Sequence, residues 1–323
     1  MCKNTIILTE AGKKIGMGHF VRMSAVCEGL KELGAPVTMM LVERNVVDSM
    51  VDKSYVKVFD WLNGNQLFDY IDENDIVIID SYLVSIDRID EINRHCGKLI
   101  VIDDNIRLNY RNVTIINPNI FGMFLKYPDN CNNTVYTGPG CTILREAFNN
   151  EQSRYINRKV SNVLITMGGT DIKNVTSKVI KYIKTFDNTT TLHVVVTDAY
   201  DEIGYIRDLL GEDDYLYNGI SADEMSNLMR HADFAVASAG GTTNELIKML
   251  CPSVLIGVAD NQVLNIKYLS ESNYIEVFSL SDMNPIRDMF SYERRERLYN
   301  AMMQSHSNET GVDIIVDVVK GLI

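Results

Sequence analysis

The sequence predicts an α/β fold of two tandem, doubly wound, Rossmann-like domains. Three observations carry that expectation. At 323 residues the chain exceeds the size at which a single core usually keeps growing. Short, nearly continuous apolar runs alternate with longer segments of helical period, once in each half, as strands buried on both faces of a parallel sheet should. Glycine- and acid-bearing segments fall where apolar runs hand over to helices, and doubly wound sheets bind ligands at the carboxyl ends of their strands.

In the first half the strand candidates are Thr5–Leu8, Val37–Val42, Val56–Phe59, Ile76–Asp80, Leu99–Asp103 and Val113–Ile116. The clearest helical pattern runs from His19 to Leu33. Phe20, Met23, Cys27 and Leu30 form one stripe, Arg22, Glu28 and Lys31 lie off it, and Gly34 stands at the C-terminal stop. In the second half, strands at Val163–Met167, Leu192–Thr197, Phe234–Ser238, Val254–Val258 and Ile275–Phe278 alternate with helices at Asn174–Phe186, Ala222–Arg230, Thr242–Leu250 and Asn261–Ser270. The polar stretch Asn149–Lys159 marks the joint. It sets one domain at 1–150 and another at 151–307, with the cleft between them as the expected ligand site. The stretch from about 308 to 323 reads as a helix that packs back on the first domain.

The bulk properties exclude several classes. A net charge of −12 without a Lys/Arg cluster disfavours nucleic acid as a partner; Arg294-Arg295-Glu296-Arg297 reads as a solvated helix face. No run of about 18 apolar residues occurs, so no stable membrane insertion is expected. The N-terminus lacks the pattern of a secretory signal. The six cysteines are scattered without CxxC or metal-ligand spacing, which favours free thiols in the cytoplasm. No cofactor and no metal are expected. The oligomeric state is not legible.

The loops that carry chemistry sit at strand ends. Ser238-Ala-Gly-Gly-Thr-Thr-Asn-Glu245 opens backbone N–H groups to a ligand, with Thr242, Thr243 and Asn244 as caps and phosphate donors and Glu245 one turn inside, where a carboxylate reaches a ribose hydroxyl. Met167-Gly168-Gly169-Thr170-Asp171 repeats the logic at that half's first strand. The alternative for each loop is a tight strand-to-helix turn with ordinary capping; two glycine pairs at neighbouring strand ends favour the ligand reading. Neither GxGxxG after a strand nor GxxxxGK[ST] is present, which disfavours a dinucleotide dehydrogenase and a P-loop kinase. In Ile15-Gly-Met-Gly-His-Phe-Val-Arg22, His19 stands at a helix start beside Gly16 and Gly18; spacing alone leaves it as a general base or as a loop-capping histidine. Tyr82, in Asp80-Ser-Tyr82, is either a sugar contact or a half-buried aromatic. Adjacent residues on an extended chain point oppositely, so Asp103 and Asp104 do not share one ion, and at least one should anchor its loop.

Taken in order, GxGHxxR, DSY, DD, GPxxxxLR, GGTD, AGG(S/T)xxE and a downstream Asn-Gln resemble the UDP-sugar hydrolases of the pseudaminic acid pathway. That family is similar to two-domain GT-B glycosyltransferases, to the transferase that builds lipid II, and to a spore-coat polysaccharide protein group. The match runs from Gly16 to Gln262. It implies UDP-2,4-diacetamido-2,4,6-trideoxy-β-L-altropyranose as substrate, attacked by water at the anomeric carbon with inversion. It further implies His19 as the base, and Gly16, Gly18, Arg22, Tyr82, Asn261 and Gln262 on the substrate side, Arg22 chiefly fixing the loop or the domain interface. Gly168, Gly169, Thr170, Ile220, Ser238, Gly240, Gly241, Thr242 and Glu245 are implied around the nucleotide. Cys141 stands where the family often has a tyrosine in GPxYxxLR. The alternatives are a GT-B glycosyltransferase for a surface polysaccharide and a non-catalytic nucleotide-sugar binding protein.

Overall fold

The computed structural model describes residues 4–12, 17–44, 54–149, 154–169, 171 and 173–321, with the side chains of 43, 44, 130 and 261 left aside. The chain divides into two compact units, residues 1–145 with 307–323 and residues 146–306. The division therefore falls at 145/146, five residues before the 150/151 boundary expected from sequence. The reason is local: Phe148, in the 3-10 turn Glu146–Phe148, is fully buried, and this turn packs on the helix Ala222–His231 of the second unit.

In unit 1 the elements run β1 (Thr5–Gly12), α1 (Gly18–Glu32), β2 (Val37–Arg44), β3 (Val56–Val58), β4 (Ile76–Asp80), α2 (Ile86–His95), β5 (Lys98–Ile102), β6 (Thr114–Ile116) and β7 (Thr134–Tyr136). In unit 2 they run β8 (Asn162–Thr166), α3 (Val175–Lys184), β9 (Thr191–Val196), α4 (Ile203–Leu209), β10 (Tyr215–Asn218), α5 (Ala222–His231), β11 (Phe234–Ser238), α6 (Thr242–Lys248), β12 (Ser253–Ile256), α7 (Val263–Glu271), β13 (Glu276–Val277), α8 (Asn284–Asp288) and α9 (Tyr292–Gln304). The final helix, α10 (Gly311–Lys320), belongs to unit 1.

Both sheets are parallel and wound in the same order. Unit 1 reads β3-β2-β1-β4-β5-β6-β7 and unit 2 reads β10-β9-β8-β11-β12-β13. Each chain path turns outward from its first strand, then crosses back to the other side of it. This makes a switch point between β1 and β4 and another between β8 and β11, where ligand crevices form in such sheets. Register brings Thr9 level with Asp80, so the residues just past β4 meet the end of β1.

Alternation along the strands builds two cores in unit 1. Ile7 faces α1 and α10 with Met23, Val26, Cys27, Leu30, Ile315 and Val319. Ile6 and Leu8 face α2 and Trp61 with Ile89 and Ile92. Trp61, the only tryptophan, is fully buried, and its Nε1 donates to the Thr9 carbonyl at 2.9 Å. α1 ends in a Schellman turn: Gly34 lies at φ +76°, its N–H donates to the Lys31 carbonyl, and the Ala35 N–H donates to that of Leu30. Among the described residues, no helix is long and apolar enough to cross a membrane.

The packing of α10 has a measurable consequence. A Cβ at Gly311 would lie 2.2 Å from the Cys141 carbonyl oxygen, whereas one at Gly18 meets nothing within 4 Å among the described residues. Gly311→Ala should therefore destabilise the protein by about 1–3 kcal/mol. Gly18→Ala should be neutral or stabilising by up to about 1 kcal/mol. Thermal unfolding followed by circular dichroism checks the pair.

Candidate functional site

The unit 1 site is built at the β1/β4 switch point. α1 begins at Gly18, so His19 and Arg22 lie one turn apart on the face toward β4. Asp80 ends β4, fully buried. Its Oδ1 accepts from His19 Nδ1 at 2.8 Å, and its two oxygens accept from Arg22 Nη2 (2.5 Å) and Nε (2.6 Å). Arg22 also donates to Asp104, Nη1 to Oδ1 at 2.9 Å and Nη2 to Oδ2 at 3.1 Å. The guanidinium is thus committed to two carboxylates, and it orders the loop rather than reaching outward. The Asp80 contact puts the imidazole proton on Nδ1 and leaves the lone pair on Nε2.

Tyr82 stands beside this pair. Its ring meets that of His19 edge-on, with centroids 4.6 Å apart, its hydroxyl donates to Asp104 Oδ2, and 44% of it is exposed. Asp104 also accepts from Asn119 Nδ2 at 2.9 Å. Asp103 serves its own loop, accepting from the Ile106 and Arg107 N–H groups and from the Tyr127 hydroxyl at 2.9 Å. That grip holds Ile106 at φ +59°, a costly conformation for a β-branched residue.

The electrostatics favour a fixed ion cluster. Burial would raise the Asp80 carboxyl, but Arg22 and His19 outweigh it and hold it down to about 2. Burial likewise opposes the charge on Asp104, and Arg22 again lowers it. The Tyr82 phenol is pushed up, by burial first and then by the Asp104 carboxylate, so it stays protonated and acts as a donor.

In unit 2 the glycine loops lie side by side at the β8/β11 switch point. Ser238 Oγ donates to the Met167 carbonyl at 2.9 Å, Gly168 sits at φ +78°, and Tyr200 and Thr197 hold the Gly168 and Gly169 carbonyls. A Cβ at Gly241 or Gly169 would meet nothing within 4 Å among the described residues, so the backbone there is bare. Gln262 accepts from the Val258 N–H at 2.9 Å, and its Nε2 lies 3.6 Å from where a Gly240 Cβ would be. Asn265 Nδ2 donates to the Ala239 carbonyl at 3.0 Å. Glu245 and Thr242 are half-buried on α6.

Some sequence expectations change. Gly241, not Thr242, Thr243 or Asn244, is the N-cap of α6, and no side chain caps it, because the chain enters the helix already in helical conformation. Ile220 follows the edge strand β10, three strands from β11 in the sheet order. Gln262 joins the glycine loops of unit 2, while Asn261 is described by its backbone alone, in the 3-10 turn Asp260–Gln262. Gly16 and Thr170 lie outside the described residues. Sequence reasoning missed Glu10, a fully buried carboxylate beside Ser81; the available signal was an acid closing an apolar run. Among the described residues, no group of three or more His, Cys, Asp or Glu side chains is placed to hold a metal ion.

No protein-family model matches the chain. In sequence it is similar to an uncharacterized protein of Methanocaldococcus jannaschii, 26% identical over 296 residues, covering 87% of this chain and 60% of that one. It is similar to the pseudaminic acid cytidylyltransferase and UDP-2,4-diacetamido-2,4,6-trideoxy-beta-L-altropyranose hydrolase of Helicobacter pylori, 22% identical, covering 86% of this chain and 48% of that one. The UDP-2,4-diacetamido-2,4,6-trideoxy-beta-L-altropyranose hydrolase of Campylobacter jejuni is 20% identical, with 82% and 96% covered. The chain thus spans 60% and 48% of the length of the first two relatives. Among solved structures, MurG of Acinetobacter baumannii superimposes with a TM-score of 0.69 at 15% identity, covering 98% of this chain and 99% of that one. UGT2 of Phytolacca americana, complexed with UDP-2-fluoro-glucose and pterostilbene, gives 0.65 at 10% identity, with 98% and 99% covered. The fold is that of the two-domain GT-B glycosyltransferases.

The Asp80 cluster predicts a pH dependence. The carboxyl sits at about 2 in the folded chain against about 3.9 unfolded, so its stabilisation is full above about pH 4 and is lost as pH falls through 2. Asp80→Asn should cost on the order of 2 kcal/mol or more at pH 7, with the gap to wild type closing below pH 4. Urea unfolding at pH 7 and pH 3 measures both.

Proposed function

We propose that the chain is a UDP-sugar hydrolase that releases UDP and a free diacetamido-trideoxy sugar from UDP-2,4-diacetamido-2,4,6-trideoxy-β-L-altropyranose. The observation that carries this reading is the buried His19–Asp80 pair, which leaves a basic Nε2 at a strand-end crevice. The names of two relatives support the substrate. The open glycine loops of unit 2 support a bound diphosphate.

In this reading water is the nucleophile. Its oxygen bonds to the anomeric carbon, the bond from that carbon to the diphosphate oxygen breaks, and UDP departs with the electron pair. The water proton passes to His19 Nε2, and Asp80 stabilises the imidazolium across Nδ1–H. A single displacement inverts the anomeric centre. The amides of Gly168, Gly169, Gly240 and Gly241 receive the leaving diphosphate, and Glu245 accepts from the ribose. Tyr82 offers its exposed ring to the sugar.

UDP release without an acceptor should be rapid for the wild type. His19→Ala should lower kcat by on the order of 10²–10⁴-fold while leaving UDP binding by calorimetry intact. The anomer first seen by proton NMR reports inversion. Release that requires an added acceptor would assign the chain to glycosyl transfer instead, the activity named for several chains of this fold.

A further inference from the structure

Glu10 has no role in the mechanism above, yet it lies beside the base and is as deeply buried as Asp80. It follows Thr9, which is in register with Asp80, and its side chain is fully buried. It accepts hydrogen bonds from the Ser81 hydroxyl, from the Tyr82 N–H at 2.9 Å and from the Leu83 N–H at 3.2 Å. These donors tie the turn after β4, which carries Tyr82, to the end of β1. The same Oε1 that receives the Tyr82 N–H lies 3.8 Å from His19 Nε2, the nitrogen opposite Asp80.

The imidazole is therefore set between two buried carboxylates, one on each nitrogen side. Asp80 reaches it from β4 and Glu10 from β1. Arg22 approaches from its own helix, 3.1 Å from Nδ1, and the Tyr82 ring meets it edge-on. Arg22 spends its charge on Asp80 and Asp104, and the charge of Glu10 is left facing the ring. A carboxylate 3.8 Å from a lone pair gains when that nitrogen takes up a proton.

We infer that Glu10 is a positioning residue for His19: it pins the Tyr82 turn under the ring and supplies a second negative charge that favours proton uptake at Nε2. The kinetic part of this inference rests on His19 being the base of the proposed hydrolysis; the titration part does not.

The test compares Glu10→Gln, Glu10→Asp and Ser81→Ala in the full chain. The His19 imidazole titration is followed by nitrogen-15 NMR, and kcat, KM and the pH profile are measured with the UDP-linked diacetamido-trideoxy sugar. Glu10→Gln should move the titration midpoint and the acid limb of kcat/KM about one unit toward lower pH. It should lower kcat at least tenfold while KM stays within twofold. Glu10→Asp should restore the midpoint toward wild type. Ser81→Ala removes a hydrogen bond without a charge, and should lower Tm without moving the midpoint. A Glu10→Gln midpoint that coincides with wild type overturns the inference. If wild type turns over no UDP-sugar, the proposed hydrolysis falls, and the NMR titration still decides the role of Glu10.

Discussion

The contact on which unit 1 depends is the Asp80 carboxylate shared between His19 and Arg22. A buried carboxylate without partners would be expelled or protonated. Here it sits at the end of a parallel strand, facing the first turn of the helix that follows the neighbouring strand. The charge of Arg22 makes its burial tolerable, and its other bond fixes the tautomer of His19. Arg22 in turn holds Asp104, and Asp104 holds Tyr82 and Asn119. One ion cluster thus ties α1 to the segments after β4, β5 and β6.

Much of this was legible in the chain. The alternation of apolar runs with helical stripes identified two doubly wound halves, because a strand covered on both faces needs apolar side chains on both. The crevice residues were legible for the same topological reason: glycine, histidine and acids at strand ends have no place in a parallel core. What escaped were the short edge strands β7 and β10, of three and four residues, whose side chains are largely half-buried or exposed and leave no continuous apolar run.

The finer chemistry was less legible, since it depends on which strand lies beside which. The apolar run of β1 ends at Leu8, which places Glu10 in a loop; pairing with β2 carries the strand on to Gly12 and buries the acid. Asp103 and Asp104 were correctly separated by the opposite pointing of adjacent residues, yet nothing in their order said which would meet Arg22. The helix α6 illustrates the opposite error. A Thr-Thr-Asn run invites side-chain capping, but the glycine before it already has helical dihedral angles, and the amide end stays free of side chains.

The position of α10 bears on how the molecule is made. Unit 1 contains the first and last described elements, and unit 2 is spelled out between them. During synthesis α1, with Met23, Val26, Cys27 and Leu30, is made before unit 2, but its cover, Ile315 and Val319, arrives only after unit 2 has been translated. The histidine crevice is therefore complete in sequence well before the apolar stripe of α1 gains its last cover. A nascent chain stalled before α10 would expose that apolar stripe to any holdase that binds unfolded segments.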